Sequence, residues 1–285
     1  MRAKGLGWAP YVLLLPSLAF MAVFFAAPML QSFGLALQDR AGDPSLASVT
    51  RMLNDAQFQR AVLTTVVLLV LVIPIQFVLA MSMALIVNAR LKGSGLWLYV
   101  FALPLGVSEL AAGIIWFSIF TERGWLNTFL INIGVLDRAF IFLNPQEPFW
   151  LLFAVVLAEA WRATAIVMII LVAGLQSIPR DYLEAADVLG ATSWQKVRLV
   201  ILPLLRPALQ TALILRTILA FQVFATVIAI AGRGLNVMAA EAYRWYADLR
   251  DVHVAASYAG LILLLSVVAT VLYLWLLPTR EEQLA

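Results

Sequence analysis

Six stretches of this chain are apolar for long enough to cross a bilayer, at about residues 10–37, 61–89, 96–120, 149–176, 201–231 and 254–278. A helix needs roughly 20 apolar residues for the crossing, since each residue advances it by only about 1.5 Å. In lipid every backbone N–H and C=O must find its partner inside the protein, so such stretches fold as helices. Of the 285 residues, 64% are hydrophobic and 12% charged. A soluble domain is roughly half apolar and about a quarter charged. The expectation is an all-α integral membrane protein with six transmembrane helices. Pro16, Pro28, Pro74 and Pro104 fall within spans, where neighbouring helices re-satisfy the backbone groups that proline frees. The first span has a basic front at Arg2 and Lys4. It is too long for a signal-peptide core and reads as a retained helix.

Orientation follows the Lys/Arg bias of short loops. With the N-terminus cytoplasmic, the inner segments are 1–9, 90–95, 177–200 and 279–285. They hold Lys4, Lys92 and Lys196, together with Arg2, Arg90, Arg180, Arg198 and Arg280. The outer loops, 38–60, 121–148 and 232–253, mix Arg with Asp and Glu. Six spans then leave both termini cytoplasmic. The chain divides into a first helix with its outer loop (1–60), a transmembrane core (61–278) carrying an inner loop at 179–200, and a short cytoplasmic tail (279–285).

Several chemistries are excluded or left without support. There is no Cys and His253 is the single His, so no thiolate or multi-histidine metal site exists. A formal charge of +3 is too small and dispersed to attract nucleic acid. No Gly-x-x-x-x-Gly-Lys-[Ser/Thr] cradle is present, so the chain by itself cannot hold ATP phosphates. No arrangement of Ser, Lys and Asp forms a recognisable catalytic motif. Most aromatic residues near span ends (Trp8, Tyr11, Trp97, Tyr99, Trp125, Trp150, Trp275) read as anchors at the membrane interface. His253 reads as an ordinary boundary residue.

The inner loop is the unusual part. After Ile178-Pro179, Asp181 is placed to cap a helix, with Glu184 three residues on as its reverse partner. Tyr182, Leu183, Ala186 and Leu189 form an apolar side, and Gly190 stops the helix. Thr192 or Ser193 can cap a second helix carrying Trp194, Val197 and Ile201 before Pro203 and Pro207. Two readings stand from the residues alone. The hairpin lies on the membrane surface, or it is a grip for another subunit.

The run Glu184-Ala185-Ala186, three residues, Gly190, then Leu202-Pro203 resembles the signature loop of binding-protein-dependent ABC importer permeases. The likeness extends along the chain and is greatest to the carbohydrate-uptake, MalF-like branch. It is carried by Tyr11 to Pro28, Phe58-Gln59-Arg60-Ala61 with Thr64-Thr65, Leu103-Pro104, and Gly113-Ile114-Ile115-Trp116. Gly124-Trp125-Leu126-Asn127, Trp161-Arg162 and Ala173 to Pro179 continue it. The Gly-rich stretch after the fifth span is reduced to Ala231-Gly232-Arg233-Gly234, and the large extra periplasmic domain of some members is absent. The resemblance implies a type I importer core in a bacterial or archaeal inner membrane. It implies that Glu184, Ala185, Ala186, Leu189 and Gly190 lie in a coupling helix that docks on an ATPase. The implied partners are a second homologous permease, two ATP-binding cassette subunits that bind the ATP and Mg, and an extracytoplasmic sugar-binding protein.

Charged groups inside spans are costly and normally face a bundle interior or a watery path. Glu109, Glu159, Arg162 and Arg216 are such groups. Glu159 and Arg162 are three residues apart and share a helix face, with Trp161 beside them. Carboxylate, guanidinium and aromatic ring together suit a sugar. A structural role, bracing helices or meeting a partner subunit, is the alternative. The resemblance implies substrate contacts at Glu159, Arg162, Ala163 and Ile166 in the fourth span, and at Phe221, Gln222 and Ala225 in the fifth. Glu109 is a further candidate selector. The function expected is therefore passage of a sugar, glycoside or polyol, with a glycerol phosphate as an alternative solute. An intramembrane lipid enzyme and a self-contained secondary transporter are competing classes. The docking loop speaks against the first, and the lack of paired repeats with broken helices against the second.

Overall fold

The computed structural model describes residues 8–39, 41–89 and 93–277. Arg2, Lys4, Arg90, Lys92, Arg280 and the tail 279–285 lie outside the described residues. The regular elements of the described residues are all helices, with an isolated bridge between Gln38 and Pro44 and no strand.

The first span is α1 (Ala9–Met21), a π-helical turn (Ala22–Ala26) and α2 (Ala27–Ala36). The π turn immediately precedes Pro28, whose missing N–H and ring disturb the regular ladder. A short outer helix, α3 (Ala47–Leu53), leads to the long α4 (Phe58–Asn88). Next come α5 (Ser94–Ala102), α6 (Glu109–Phe120), α7 (Trp125–Asn132) and the long α8 (Pro148–Gln176). The inner loop holds α9 (Arg180–Val188) and α10 (Ser193–Gln195), which continues through a π turn into α11 (Leu202–Leu204). The chain finishes with α12 (Arg206–Phe221), α13 (Ala225–Ala231), α14 (Met238–Tyr243) and α15 (Val252–Leu276).

Four spans are single continuous helices or nearly so: Tyr11–Ala36, Phe58–Asn88, Pro148–Gln176 and Val252–Leu276. The expected third and fifth spans are not, so broken helices, expected to be lacking, are present. The third is broken between Gly95–Gly106 and Glu109–Asn132, which meet at 96°, and the fifth between Ser193–Leu204 and Arg206–Phe221, which meet at 71°. Six crossings result only if each bent pair counts as one. Hydropathy reads length and greasiness, so it joined segments that the backbone separates. Pro104 ends the first half of the third span in a 3₁₀ turn (Leu103–Gly106), and Val107 is extended. Ser108 then caps α6, its hydroxyl accepting from the Ala111 N–H at 3.2 Å. In the fifth, Pro203 and Pro207 flank the bend at Leu205, and a second break at Gln222 to Phe224 separates α12 from α13.

The centre of the bundle is α8, buried over most of its length. Helix α4 lies along it, with Ala80 and Ala84 fully buried against Val167, Met168 and Leu171. Small residues let membrane helices approach closely, which matters where lipid gives no hydrophobic drive between them. Helix α6 pairs with α13 beside α8. An aromatic group of Phe120, Phe140, Phe142, Trp150 and Phe153 packs at the start of α8. Trp150 thus packs inside the protein rather than serving only as an interface anchor. Asn127, fully buried, fastens the 121–148 loop through its amide to the carbonyls of Thr121 and Phe140 and to the Phe140 N–H. The first span stands off the bundle and touches it chiefly where α2 meets α15. There His253 Nδ1 lies 2.9 Å from the Leu35 carbonyl, so this boundary residue also fastens the first span.

The α6–α13 contact depends on Gly113. A Cβ there would sit 2.6 Å from the Ala229 Cβ and 3.1 Å from the Thr226 Cα. Overpacking of this kind costs about 1–3 kcal/mol. Gly113→Ala should lower the thermal unfolding midpoint of the purified protein, and Gly113→Leu should reduce its accumulation in the membrane. An unchanged midpoint for Gly113→Leu would show that the contact yields freely.

Candidate functional site: a buried polar network and an exposed loop

Five helices meet at one set of polar side chains. The Glu159 carboxylate on α8 accepts from Arg216 Nη2 on α12 at 2.9 Å, from the Thr226 hydroxyl on α13 at 2.8 Å, and from Arg162 Nη2 at 3.4 Å. Arg216 Nε donates to Gln76 Oε1 on α4 at 2.6 Å, and Gln76 Nε2 donates to the Glu159 backbone carbonyl at 2.7 Å. Glu159 and Arg216 are each 1% exposed. Removing two charges from water is expensive, and their attraction repays it only when geometry is good and the remaining polar atoms are satisfied. Here both carboxylate oxygens have partners, and Gln76 closes a ring between the pair and the backbone.

Glu109 joins from α6. Its Oε1 accepts from the backbone N–H groups of Phe224, Ala225 and Thr226 at 3.1, 3.0 and 3.4 Å. Those are groups that the start of α13 leaves without an intrahelical partner, and a carboxylate there also suits the helix dipole. One side chain therefore ties the beginning of α6, just after the break in the third span, to the break in the fifth.

The inner loop has a different character. Gly190 adopts φ +73°, a left-handed conformation that costs a side-chain-bearing residue energy but not glycine. The Ala191 N–H donates to the Ala186 carbonyl at 2.9 Å and the Gly190 N–H to the Asp187 carbonyl at 3.0 Å, the paired bonds of a Schellman motif. Thr192 then caps α10 in a reciprocal box with Gln195. Lys196 Nζ reaches back to Asp187 at 2.6 Å. The two short helices are thus locked into one corner. Val188 at the end of α9 is 88% exposed and Leu189 just after it 86%, with Glu184 and Ala185 also on the surface.

Residues 45–281 match the family model of the binding-protein-dependent transport system inner membrane component. The chain belongs to that family. The permease is 30% identical over 275 residues to the trehalose/maltose transport system permease protein MalF of Thermococcus litoralis, covering 93% of this chain and 92% of that one. It is 31% identical over 223 residues to the lactose transport system permease protein LacF of Rhizobium radiobacter, covering 76% and 73%. A bacterial alginate ABC transporter, solved with an alginate pentasaccharide-bound periplasmic protein, has a chain of the same fold. The TM-score is 0.81 at 22% identity, over 96% of this chain and 95% of that one. The permease is therefore a transport subunit of the inner membrane, not an enzyme, and works with an ATPase and a substrate-binding protein.

The residues expected at the substrate site fall into three groups. Glu159, Ala163 and Phe221 are buried inside the permease. Arg162, Ile166, Ala225 and Glu109 are half-buried, and Arg162 Nε has no acceptor. Trp161 and Gln222 are exposed, with Trp161 edge-on to Trp116 at 6.3 Å. The Glu159–Arg162 pair forms, yet Arg216 is the closer partner of Glu159. Gln76 and Thr226 also belong to the network and escaped the sequence reading. A lone amide in a long apolar run was the available signal for Gln76. In the loop, Asp181 lies within the first turn of α9, and no side chain caps that helix, whose N-cap position is Pro179. Proline there leaves the capping box without its usual hydroxyl or carboxylate. Leu183 and Ala186 turn inward as expected, but Tyr182 and Leu189 face out.

Breaking one side of a buried pair strands the other charge, at about 3–5 kcal/mol. Arg216→Ala should therefore sharply reduce the folded permease recovered from membranes. Glu159→Gln combined with Arg216→Gln should restore much of it. Equal recovery of the single variant and the parent, by quantitative blotting and size-exclusion profile, would contradict a bracing role.

Proposed function

We propose that the permease forms the sugar path of an ATP-driven importer together with a second, non-identical permease. Relatives named for trehalose, maltose and lactose support a sugar over a glycerol phosphate. Two ATPase subunits hold the ATP and Mg and dock from the cytoplasm, one of them on the loop at 180–200. A soluble binding protein delivers the sugar to the outer loops. Both termini of the permease are cytoplasmic in this reading. The observation that carries the coupling is α9, a cornered helix that leaves apolar Val188, the following Leu189 and acidic Glu184 exposed among the described residues.

The mechanism is alternating access. Closure of the ATPases draws the coupling helices together, and the corner locked by Gly190 and Lys196–Asp187 passes that displacement into α12. The bends and breaks of the third and fifth spans supply the pivots, since hinges are short segments that absorb backbone change. Sugar contacts come from the surface beside the break in the fifth span, where Gln222 is exposed and Arg162, Ala225 and Glu109 are half-buried. Glu159 acts indirectly, holding Arg162 and Thr226 in place.

Two experiments follow. Glu184→Lys should leave the permease in the membrane but lose the co-purifying ATPase, and Gly190→Val should do so by unlocking the corner. A Glu184→Lys complex that retains its ATPase and transports normally would remove α9 from the coupling role. Gln222→Ala should abolish uptake by an importer that still assembles and hydrolyses ATP. Normal sugar uptake by that variant would place the substrate contacts elsewhere.

A further inference from the structure

At the outer end a pocket of about 430 Å³ opens between Gln57 and the segment from Gly232 to Asp248. That is within the usual range of roughly 300–1,000 Å³ for small-molecule sites. It lies outside the network described above, and its walls are built rather than incidental. Arg244 is held from two sides, its Nε donating to Glu241 and its Nη2 to Asp55. Its guanidinium also lies 5.4 Å from the centre of the Trp245 ring. Asn236 Nδ2 donates to Gln57 Oε1 at 2.7 Å. Among the described residues the Gln57 amide nitrogen and the Asn236 amide oxygen make no further hydrogen bond, and both side chains line the pocket. Tyr243, also lining it, is 53% exposed, and its hydroxyl makes no hydrogen bond among the described residues.

The chemistry of these groups selects a ligand class. One amide offers donors, the other an acceptor, the phenol offers both, and the Tyr243 ring offers a flat face for C–H groups. The charges are matched internally, Arg233 with Asp248 and Arg244 with Glu241 and Asp55. Among the described lining residues each Arg thus has a carboxylate partner, which weakens any selection for an anion. A neutral, hydroxyl-rich ring is what remains. The Tyr243 ring also packs on Phe224 at 5.1 Å, and Phe224 sits in the break whose N–H groups Glu109 holds. The aromatic wall of the pocket is thus continuous with the break in the fifth span.

We propose that this pocket is an outer sugar-binding station, which takes one or two neutral sugar rings before they pass inward beside Phe224. It rests on the sugar reading above. The test uses the assembled importer with its binding protein, reconstituted in liposomes, and trehalose, maltose and lactose as probes. Asn236→Ala and Tyr243→Ala should each raise the concentration for half-maximal uptake by about tenfold, the equivalent of a lost hydrogen bond of about 1.4 kcal/mol. The maximal rate should stay within about twofold, given that these residues lie outside the Glu159 network. Tyr243→Phe, which keeps the ring and cannot disturb packing, should show a smaller rise. Equilibrium dialysis of radiolabelled probe against the importer without binding protein should show the same loss of affinity.

If the parent importer moves no probe sugar, the sugar reading fails and this inference with it. If it transports while half-saturation is unchanged in Asn236→Ala and Tyr243→Ala, the station alone is refuted. Higher half-saturation with unaltered binding of free sugar would mean that the pocket seats the binding protein, and would equally overturn the proposal.

Discussion

The buried pair of Glu159 and Arg216 is the interaction on which the rest of the bundle depends. Two opposite charges at the middle of a membrane protein are tolerable only in contact and fully hydrogen-bonded. To meet both conditions, α8 and α12 must cross at one height, α4 must present Gln76 to Arg216, and α13 must present Thr226 to Glu159. Apolar packing between membrane helices is permissive about rotation and register, because lipid competes for the same surfaces. A charge pair is not. It fixes which faces of four helices look inward.

That rigidity stands beside deliberate irregularity. The third and fifth spans are the two that carry bends, and both come to the same carboxylate. Glu109 begins the helix after one break and holds the N–H groups exposed by the other. Non-helical backbone at this depth survives only where protein or a water-lined path satisfies it. The breaks are therefore paired and clamped, and α6 and α13 are joined again at Gly113. A transport subunit needs segments that pivot without unravelling, and a braced centre beside two clamped breaks meets that need.

At the loop that carries α9 and α10 the logic is reversed. The loop spends its hydrogen bonds on shape, through the Schellman bonds after α9, the Thr192–Gln195 box and the Lys196–Asp187 contact. Its apolar and acidic side chains at Glu184, Val188 and Leu189 are left on the surface. A helix that is fixed in orientation but unpartnered on one face transmits a push well.

The all-helical class, the long spans and the two-helix loop with its glycine joint were all legible in the residues. Each follows from local chemistry: the length of apolar runs, the demand for internal backbone hydrogen bonds, and the turn that glycine alone adopts cheaply. The resemblance of Glu184 to Pro203 and its neighbours singled out the loop proposed to dock for the same reason, since a contiguous motif survives without knowledge of tertiary contacts. Hydropathy could not show that the third and fifth spans bend, because a broken apolar run is as greasy as a straight one. Nor could it choose a partner for Glu159. Arg162 was the nearest in sequence, three residues away on the same face, but Arg216, 57 residues on, takes the better-placed oxygen. The role of Glu109 lay further out of reach, as its partners are backbone groups more than a hundred residues away that exist only because the fifth span breaks. Composition and local periodicity determined what could enter the membrane. Which charges met there was decided by the crossing of helices, since pairing energy depends on distance in space and not on separation along the chain.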